Sequence, residues 1–145
     1  VVRLVGSEMC IRDSYIPKTY ISDDISRLII YRKFTNSKNI HELKSVLDEI
    51  YDRYGNYPPE VTNLFNLLKI KIKSLTLGIS KINIKRNFID ITFKKANQKI
   101  LDNLIQMTQE KIIKMKSSRS IQIKNNENED LFYTVNLFYK KLGLK

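Results

Sequence analysis

Very few residues in the chain combine the types and the spacing that catalysis requires. The one histidine, His41, lies in the first turn of a predicted helix beside its N-cap, where an exposed side chain is the ordinary outcome. Without it no Ser-His-Asp arrangement can be assembled, and the one cysteine, Cys10, excludes a disulfide framework and a multi-cysteine metal site. No glycine-rich phosphate loop is present, because Gly55, Gly78 and Gly143 each lie at the end of a predicted helix. The sequence therefore predicts no catalytic, cofactor-binding or metal-binding residue.

Acidic residues instead line one face of a predicted helix. Glu42, Ser45, Glu49 and Asp52 are spaced i, i+3, i+7 and i+10, which places them along one side of that helix. Glu49 can pair with Arg53 at i+4, whereas Asp52 has no cation at that spacing. Two interpretations stay open at this point: a solvated polar face, or a surface that binds a basic partner.

The basic excess of the chain lies elsewhere. The formal net charge is +11, and residues 66–126 carry fourteen basic and only three acidic side chains. A charge of this size favours nucleic-acid binding, since Lys and Arg neutralise phosphates. The segment is rich in Lys and poor in Arg, however, and AT-rich codons alone can raise the lysine count. The candidate phosphate contacts are Lys81, Lys85, Arg86, Lys94 and Lys95.

The first fourteen residues are predicted not to be native. Residues 4–14 (LVGSEMCIRDS) match the in-frame translation of a transposase-type DNA sequencing adapter, and the chain has no initiator methionine. We therefore exclude 1–14 from the fold prediction, as one excludes an expression scar. The native part is then 15–145, without a cysteine, and we expect it to be a fragment of a longer chain. No apolar run approaches the roughly 20 residues of a membrane-spanning helix.

Three helices are predicted in the first half. Ser22 is expected to cap the first, which turns Ile25, Leu28 and Ile29 inward. A capping box, Asn39 with Glu42, begins the second. Its predicted apolar stripe comprises Ile40, Leu43, Val46, Leu47, Ile50, Tyr51 and Tyr54, and Gly55 closes it. The third starts at Pro58-Pro59 and buries Val61, Leu64, Phe65, Leu68, Ile72 and Leu75 before Gly78.

After Gly78 the apolar period changes from helical spacing to two. This predicts a β-hairpin over 82–93, with a turn at Arg86-Asn87. A fourth helix over about 97–111 is expected to bury Ile100, Leu101, Leu104 and Ile105. Two short strands, 112–115 and 120–124, precede a last helix that Asn126 or Asn128 caps, with inward residues Leu131, Phe132, Val135, Phe138, Tyr139 and Leu142. The predicted fold is α+β: three helices, a hairpin, a helix, two strands and a helix around one core.

Several segments together resemble a known family. They are Tyr20-Ile21, Ser26-Arg27-Leu28 with Tyr31-Arg32-Lys33, Ile40-His41-Glu42-Leu43, residues 48–58 (DEIYDRYGNYP), and residues 68–71 (LKIK) with 77–82 (LGISKI). This pattern is similar to the C-terminal domain of bacterial transcription-repair coupling factors, the Mfd family, over about residues 16–93. Ser22 stands where the family usually has proline and Tyr54 where it has phenylalanine. From Asn97 onward only the order of elements agrees.

The resemblance implies a non-catalytic, autoinhibitory domain. In the family the parent protein is an ATP- and magnesium-dependent double-stranded DNA translocase, which displaces stalled RNA polymerase and recruits UvrA for nucleotide-excision repair in the bacterial cytoplasm. The C-terminal domain docks on the N-terminal UvrB-like module of the same chain and masks its UvrA-binding surface. Carried over by position, the contacts are Glu49 and Asp52, with Glu42 and Ser45 on the same face. Motif residues with an implied structural role are Arg27, Leu28, Tyr31, Arg53, Tyr54, Gly55, Pro58 and Gly78. The alternative hypothesis is a small nucleic-acid-binding module that uses residues 66–126.

Overall fold

The computed structural model describes residues 2–3, 14–84, 87–94, 97–124 and 131–143. Their elements follow in the order β1 (Val2–Arg3), α1 (Asp24–Asn36), α2 (Ile40–Tyr54), α3 (Pro59–Thr76), β2 (Ile79–Ile84), β3 (Phe88–Phe93), α4 (Gln98–Gln109), β4 (Ile113–Met115), β5 (Ser120–Lys124) and α5 (Leu131–Lys141). The α+β class and the predicted element order are thereby confirmed. The sequence predicted one core, whereas the chain divides into two compact units. The N-terminal unit is Ile11–Ile72, and the C-terminal unit is Lys73–Lys145 with Val1–Cys10.

Helix α1 begins one residue later than predicted and buries the opposite face. Its N-cap is Asp23, whose carboxylate accepts a hydrogen bond from the Ser26 N–H at 2.8 Å, so Ser22 is not the cap. The buried residues are Ile30 and Phe34. The predicted inward residues Ile25, Leu28 and Ile29 are exposed. The prediction was wrong because α1 carries large apolar side chains on both faces, so periodicity alone could not choose between them.

Helices α2 and α3 follow the local signals closely. Asn39 caps α2 by accepting from the Glu42 N–H at 2.9 Å, as the capping box predicted. Gly55 ends it with φ +79°, a left-handed conformation that costs glycine little. Leu43, Val46, Leu47 and Ile50 are buried as expected, but Tyr51 is exposed.

Helix α3 starts with Pro59 at its first position, where the missing N–H leaves no bond unmade. Val61, Leu64 and Leu68 are buried as predicted, whereas Leu75 is exposed and Phe65 and Ile72 are only half-buried. Leu67 and Ile70 are buried in addition to the predicted stripe.

The C-terminal unit contains an antiparallel sheet with strand order β1-β2-β3-β5-β4. Ile82 pairs with Ile91, and Ile91 in turn pairs with Ile121, so three strands align apolar residues in one row. Burial alternates along β3 and β5 with period two, which confirms the predicted hairpin and the later pair of strands. Arg86, in the predicted turn, lies outside the described residues. Gly78, with φ +70°, makes the turn from α3 into β2.

Helices α4 and α5 are present as predicted, but two residues of α4 that were predicted to be buried are exposed. Asn97 caps α4 by accepting from the Ile100 N–H at 2.9 Å. Ile100, Leu104 and Met107 are buried in α4, while Leu101 and Ile105, predicted to point inward, are exposed. Helix α4 contacts β4.

In α5 the predicted residues Val135, Phe138, Tyr139 and Leu142 are buried. The Tyr139 hydroxyl hydrogen-bonds the hydroxyl of Ser74, and both side chains are buried. The caps Asn126 and Asn128 lie outside the described residues, as do the side chains of Leu131 and Phe132.

The adapter origin of residues 1–14 stays a prediction. Val2 and Arg3 pair with Ile84 and Asn83 at the edge of the sheet, and Cys10 lies outside the described residues. In the part of the chain that the structure describes, no helix is long and apolar enough to cross a membrane.

Candidate docking interface

Two motif residues of α1 hold the extended segment that precedes it. The Arg27 guanidinium donates to the backbone carbonyls of Ile21, at 2.7 Å, and Ser22, at 3.2 Å, and also contacts the Asp24 carboxylate. The Tyr31 hydroxyl accepts from the Ile16 N–H at 2.7 Å. These bonds satisfy backbone groups that have no helical partner. Arg27 and Tyr31 therefore hold backbone groups of the segment before α1, whereas the motif residue Leu28 is exposed.

The end of α2 is joined to this same segment. The Tyr20 hydroxyl donates to the Gly55 carbonyl at 2.7 Å and lies 3.3 Å from the Ile50 carbonyl. The Tyr20 and Tyr54 rings meet edge to face at 6.1 Å. Burial, followed by the nearby Tyr57 and Tyr54, raises the pKa of Tyr20 above its usual value. The Arg53 guanidinium covers the outer side of the Tyr54 ring at 5.3 Å. The tyrosine that opens the family pattern thus contacts Gly55, a glycine within its longest motif.

The chain then turns into α3 through Pro58. Its carbonyl accepts from the Val61 N–H at 3.0 Å, which satisfies one of the first free donors of α3. The motif residue Pro58 therefore has a structural role at the start of α3, as Gly55 has at the end of α2.

Glu49 is paired within the N-terminal unit. The ammonium nitrogen of Lys33 on α1 lies 2.7 Å from each Glu49 carboxylate oxygen, and the Arg53 guanidinium is 3.4 Å from one of them. The hydrogen bonds from Lys33, together with its charge and that of Arg53, hold the pKa of Glu49 below its ordinary value of 4.5. The sequence predicted the Arg53 pair; the Lys33 pair joins residues 16 positions apart and has no local signal.

Glu42 and Ser45 are engaged inside their own helix. Glu42 accepts from the Lys38 N–H at 2.8 Å and from the Asn39 amide at 2.9 Å. The Ser45 hydroxyl donates to the His41 carbonyl at 3.1 Å. Both side chains stabilise local structure, so they are weaker candidates for a partner contact than their spacing suggested. His41 itself is exposed in the first turn, as predicted.

Asp52 and Asp48 form the open part of the acidic face. Both are exposed, one helical turn apart, and neither makes a hydrogen bond or an ion pair with another residue that the structure describes. Tyr51 lies on the same side of α2, with half of its surface exposed, and its ring meets that of Tyr57 edge to face at 6.3 Å. Like charges at i and i+4 repel, so an outside cation relieves this pair. Asp48 was not among the predicted contacts, and its spacing to Asp52 is the signal that could have found it.

The structure describes only two of the five basic residues that the sequence suggested as phosphate contacts. Of the candidate phosphate contacts, Lys81 is half-buried and Lys94 is exposed, while Lys85, Arg86 and Lys95 lie outside the described residues. Lys116 lies 3.6 Å from the Asp90 carboxylate.

Across the described ranges, no group of three or more His, Cys, Asp or Glu side chains is placed to hold a metal ion.

Comparison with known proteins tests the family resemblance that the sequence motifs indicated. The family model described as "TRCF domain" matches residues 12–104, which include every motif segment quoted above. The chain belongs to the TRCF domain family. The resemblance inferred from the motifs is thereby confirmed. The match ends within α4, so the strands β4 and β5 and helix α5 of this TRCF domain lie beyond it.

The relatives carry the name transcription-repair-coupling factor. This TRCF domain is 34% identical to the protein from Staphylococcus aureus strain USA300 over 89 residues, which are 61% of this chain and 8% of the relative. It is 31% identical to the protein from Bacillus subtilis strain 168 over 90 residues, 62% of this chain and 8% of that relative. The TRCF domain therefore matches only a small part of its curated relatives' length.

A solved structure shows that the fold extends beyond the matched sequence. A crystal structure of the C-terminal domain of a transcription-repair coupling factor superposes with a TM-score of 0.76. The two sequences are 22% identical, and the alignment covers 95% of this chain and 92% of the other. The agreement in element order after Asn97 is thus an agreement in fold.

Proposed function

We propose that this TRCF domain is a non-catalytic regulatory domain of a transcription-repair coupling factor. In this proposal the parent is an ATP-dependent DNA translocase of the bacterial cytoplasm, and ATP and magnesium serve its motor rather than this chain. The domain docks on the N-terminal UvrB-like module of the same parent and masks the surface that binds UvrA. RNA polymerase and double-stranded DNA act through the parent. Family membership and the acidic face of α2 support this proposal.

The observation that carries the proposal is the exposed carboxylate of Asp52 on the motif helix, which pairs with no cation among the described residues. A carboxylate without an internal cation keeps its full Coulomb attraction for one on a partner. Charge pairs at such an interface contribute specificity more than raw affinity. A contact that must open when polymerase is engaged needs that balance, because a modest free-energy difference then shifts the population.

The pairing and exposure of the other side chains on this face support an order among the candidate contacts. Asp48, like Asp52, pairs with no cation in the part of the chain that the structure describes, and Tyr51 between them provides exposed aromatic surface of the kind that is enriched at interfaces. Glu49 lies beside them but already holds Lys33, so a partner cation has to share or displace that lysine. We therefore propose Asp52 as the primary contact and Glu49 as a secondary one.

Charge reversal tests this docking. We expect Asp52→Lys to weaken binding of the 145-residue chain to the UvrB-like module by about tenfold, since an attractive pair becomes repulsive. Asp102→Lys, an equal reversal on α4, is the matched control and should change the affinity less than about twofold. In the parent, Asp52→Lys should raise UvrA binding and unregulated translocation. Equal affinities for the Asp52 and Asp102 variants would remove the role of this face.

A second candidate function, nucleic-acid binding, has one specific observation in its favour. Phe88 is partly exposed and pairs in register with Lys124, and both line a shallow depression of about 550 Å³ with Lys111 and Lys114. An exposed aromatic ring among lysines can stack a base while the cations meet phosphates. The lysines of this depression are not among the phosphate contacts that the sequence suggested.

Salt dependence tests the second candidate. Binding of labelled DNA should fall steeply between about 50 and 200 mM salt, with a slope set by the number of phosphates contacted. Phe88→Ala should reduce single-stranded binding more than double-stranded binding, because only unpaired bases offer a face to stack. Absence of binding at the lowest salt would remove this candidate.

A further inference from the structure

An apolar groove crosses the C-terminal unit, and none of its lining residues belongs to α2. It has a volume of about 310 Å³ and lies between α4 and the strands β3, β4 and β5. Its buried lining includes Phe93, Leu104 and Ile121. A volume of this size is at the lower end of the range for sites that accept side chains or small ligands.

The walls of the groove are large apolar side chains that the fold leaves in water. Leu101, Ile105 and Met115 are 38%, 57% and 42% exposed, and all three line the groove. A single exposed apolar residue needs no explanation, but several that converge on one concave surface mark an interaction site. Methionine adds an adaptable wall, because its unbranched side chain adjusts to the shape of a partner.

The charges around the groove are unequal on its two sides. On the strand side stand Lys94 and Arg119, both exposed, and neither pairs with a carboxylate among the described residues. On the outer side of α4 stand Asp102 and Glu110, whose carboxylates accept from the Gln98 and Gln106 amides at 2.8 and 3.0 Å. A partner is therefore favoured if its acidic groups lie toward the strands and its neutral groups lie toward α4.

We infer that this groove binds an amphipathic helix of a partner protein, with its apolar face in the groove and its acidic flank beside Lys94 and Arg119. Leu101 and Ile105 are one turn apart on α4 and, with Thr108, extend the groove wall over about 10 Å at 1.5 Å per residue. That length matches about two turns of a docked helix, whose anchors repeat at i, i+4 and i+7. The inference goes beyond the proposed function and uses none of its residues.

The experiment uses the full 145-residue chain and a labelled peptide of about 15 residues, near the length at which an isolated helix becomes stable in water. The peptide carries leucines at i, i+4 and i+7 with glutamates along one flank, and a second peptide has lysines in their place. We expect the acidic peptide to bind at least about fivefold more tightly, because only its flank attracts Lys94 and Arg119. Equal binding of the two peptides would overturn the inference.

Two substitutions place the binding in the groove. Ile105→Glu should weaken the acidic peptide by about tenfold, and Ile25→Glu, an equal change at an exposed residue of α1, should have less than about twofold effect. Arg119→Glu should weaken binding severalfold, with Lys140→Glu as its control. Because Ile105 and Arg119 are exposed, these variants should keep the wild-type circular dichroism spectrum. Binding that ignores Ile105→Glu, or a concentration-dependent dimer that this change abolishes, would overturn the inference.

Discussion

Lys33 on α1 holds Glu49 on α2 through both carboxylate oxygens, each 2.7 Å from the ammonium nitrogen. The acid that the family pattern assigns to a partner contact is therefore already neutralised inside the N-terminal unit. Asp52, one turn further along, has no such cation among the described residues. This relationship strengthens a difference that the sequence already indicated, since Glu49 has Arg53 at i+4 and Asp52 has no cation at that spacing.

The Lys33–Glu49 pair predicts a pH-dependent contribution to stability. Because the folded-state pKa of Glu49 lies below 4.5, the contribution is present at neutral pH and disappears as the pH falls through that lower value. We expect Lys33→Gln to lower the free energy of unfolding by about 0.5 to 1 kcal/mol at neutral pH, a size typical of exposed pairs. Urea denaturation from about pH 7 to pH 3 should show this difference narrowing. Lys38→Gln is the control, and a difference independent of pH would contradict the account.

The same lysine makes a prediction for docking. If a partner cation has to displace Lys33 from Glu49, Lys33→Gln leaves Glu49 with only the longer Arg53 contact and should tighten binding to the UvrB-like module by about two- to fivefold. The measurement is a titration of the 145-residue chain with that module, with Lys38→Gln as the matched control. An unchanged affinity would contradict the participation of Glu49 and leave Asp52 as the contact.

Two neighbouring isoleucines on α1 should differ sharply in their effect on stability. Ile30 is 1% exposed and Ile29 is 45% exposed. We expect Ile30→Ala to lower the free energy of unfolding by about 2 to 4 kcal/mol, since it removes buried methyl groups and leaves a cavity. Ile29→Ala should cost less than about 1 kcal/mol. Equal costs in urea denaturation would mean that α1 buries both faces.

The hydroxyl of Tyr20 should contribute through its bond to the Gly55 carbonyl. Tyr20→Phe removes the hydroxyl that donates to the Gly55 carbonyl. We therefore expect the free energy of unfolding to fall by about 1 kcal/mol. Tyr133→Phe removes an exposed hydroxyl and should be neutral within about 0.5 kcal/mol. If both variants unfold at the wild-type denaturant concentration, the Tyr20 bond does not stabilise the fold.

Tyr139 should make the protein sensitive to alkali. Burial raises the pKa of its hydroxyl well above the usual 10.0, partly offset by the hydrogen bond to Ser74. A tyrosine in the unfolded chain loses its proton near pH 10 while the folded one keeps it, so stability falls as the pH rises beyond that value. The stability of Tyr139→Phe should fall less steeply than that of the wild type between about pH 9.5 and 11.5 in urea denaturation. Parallel stability curves for the two proteins would contradict a raised pKa of Tyr139.

Local chemistry in the sequence was enough to predict the elements and most of their ends, although α1 is capped by Asp23 rather than by Ser22. Asn39 caps α2, Pro59 begins α3 and Gly55 ends α2, because each of these signals acts on backbone groups within four residues. Apolar and polar residues alternate along β3 and β5, and this alternation predicted the strands because successive side chains of a strand point to opposite faces. The motif segments that indicated the family are likewise short and contiguous.

The sequence alone also determined the acidic spacing on α2, since helical geometry follows from residue numbers. The spacing also indicated that Arg53 can pair with Glu49 and that Asp52 has no such cation. The closer pair of Glu49 with Lys33 was decided only by tertiary structure, because Lys33 reaches Glu49 from another helix. The buried face of α1, and the exposure of Leu101 and Ile105 on α4, were decided in the same way. Burial is a property of the neighbours an element meets, and where apolar residues occupy both faces the period cannot say which face meets them.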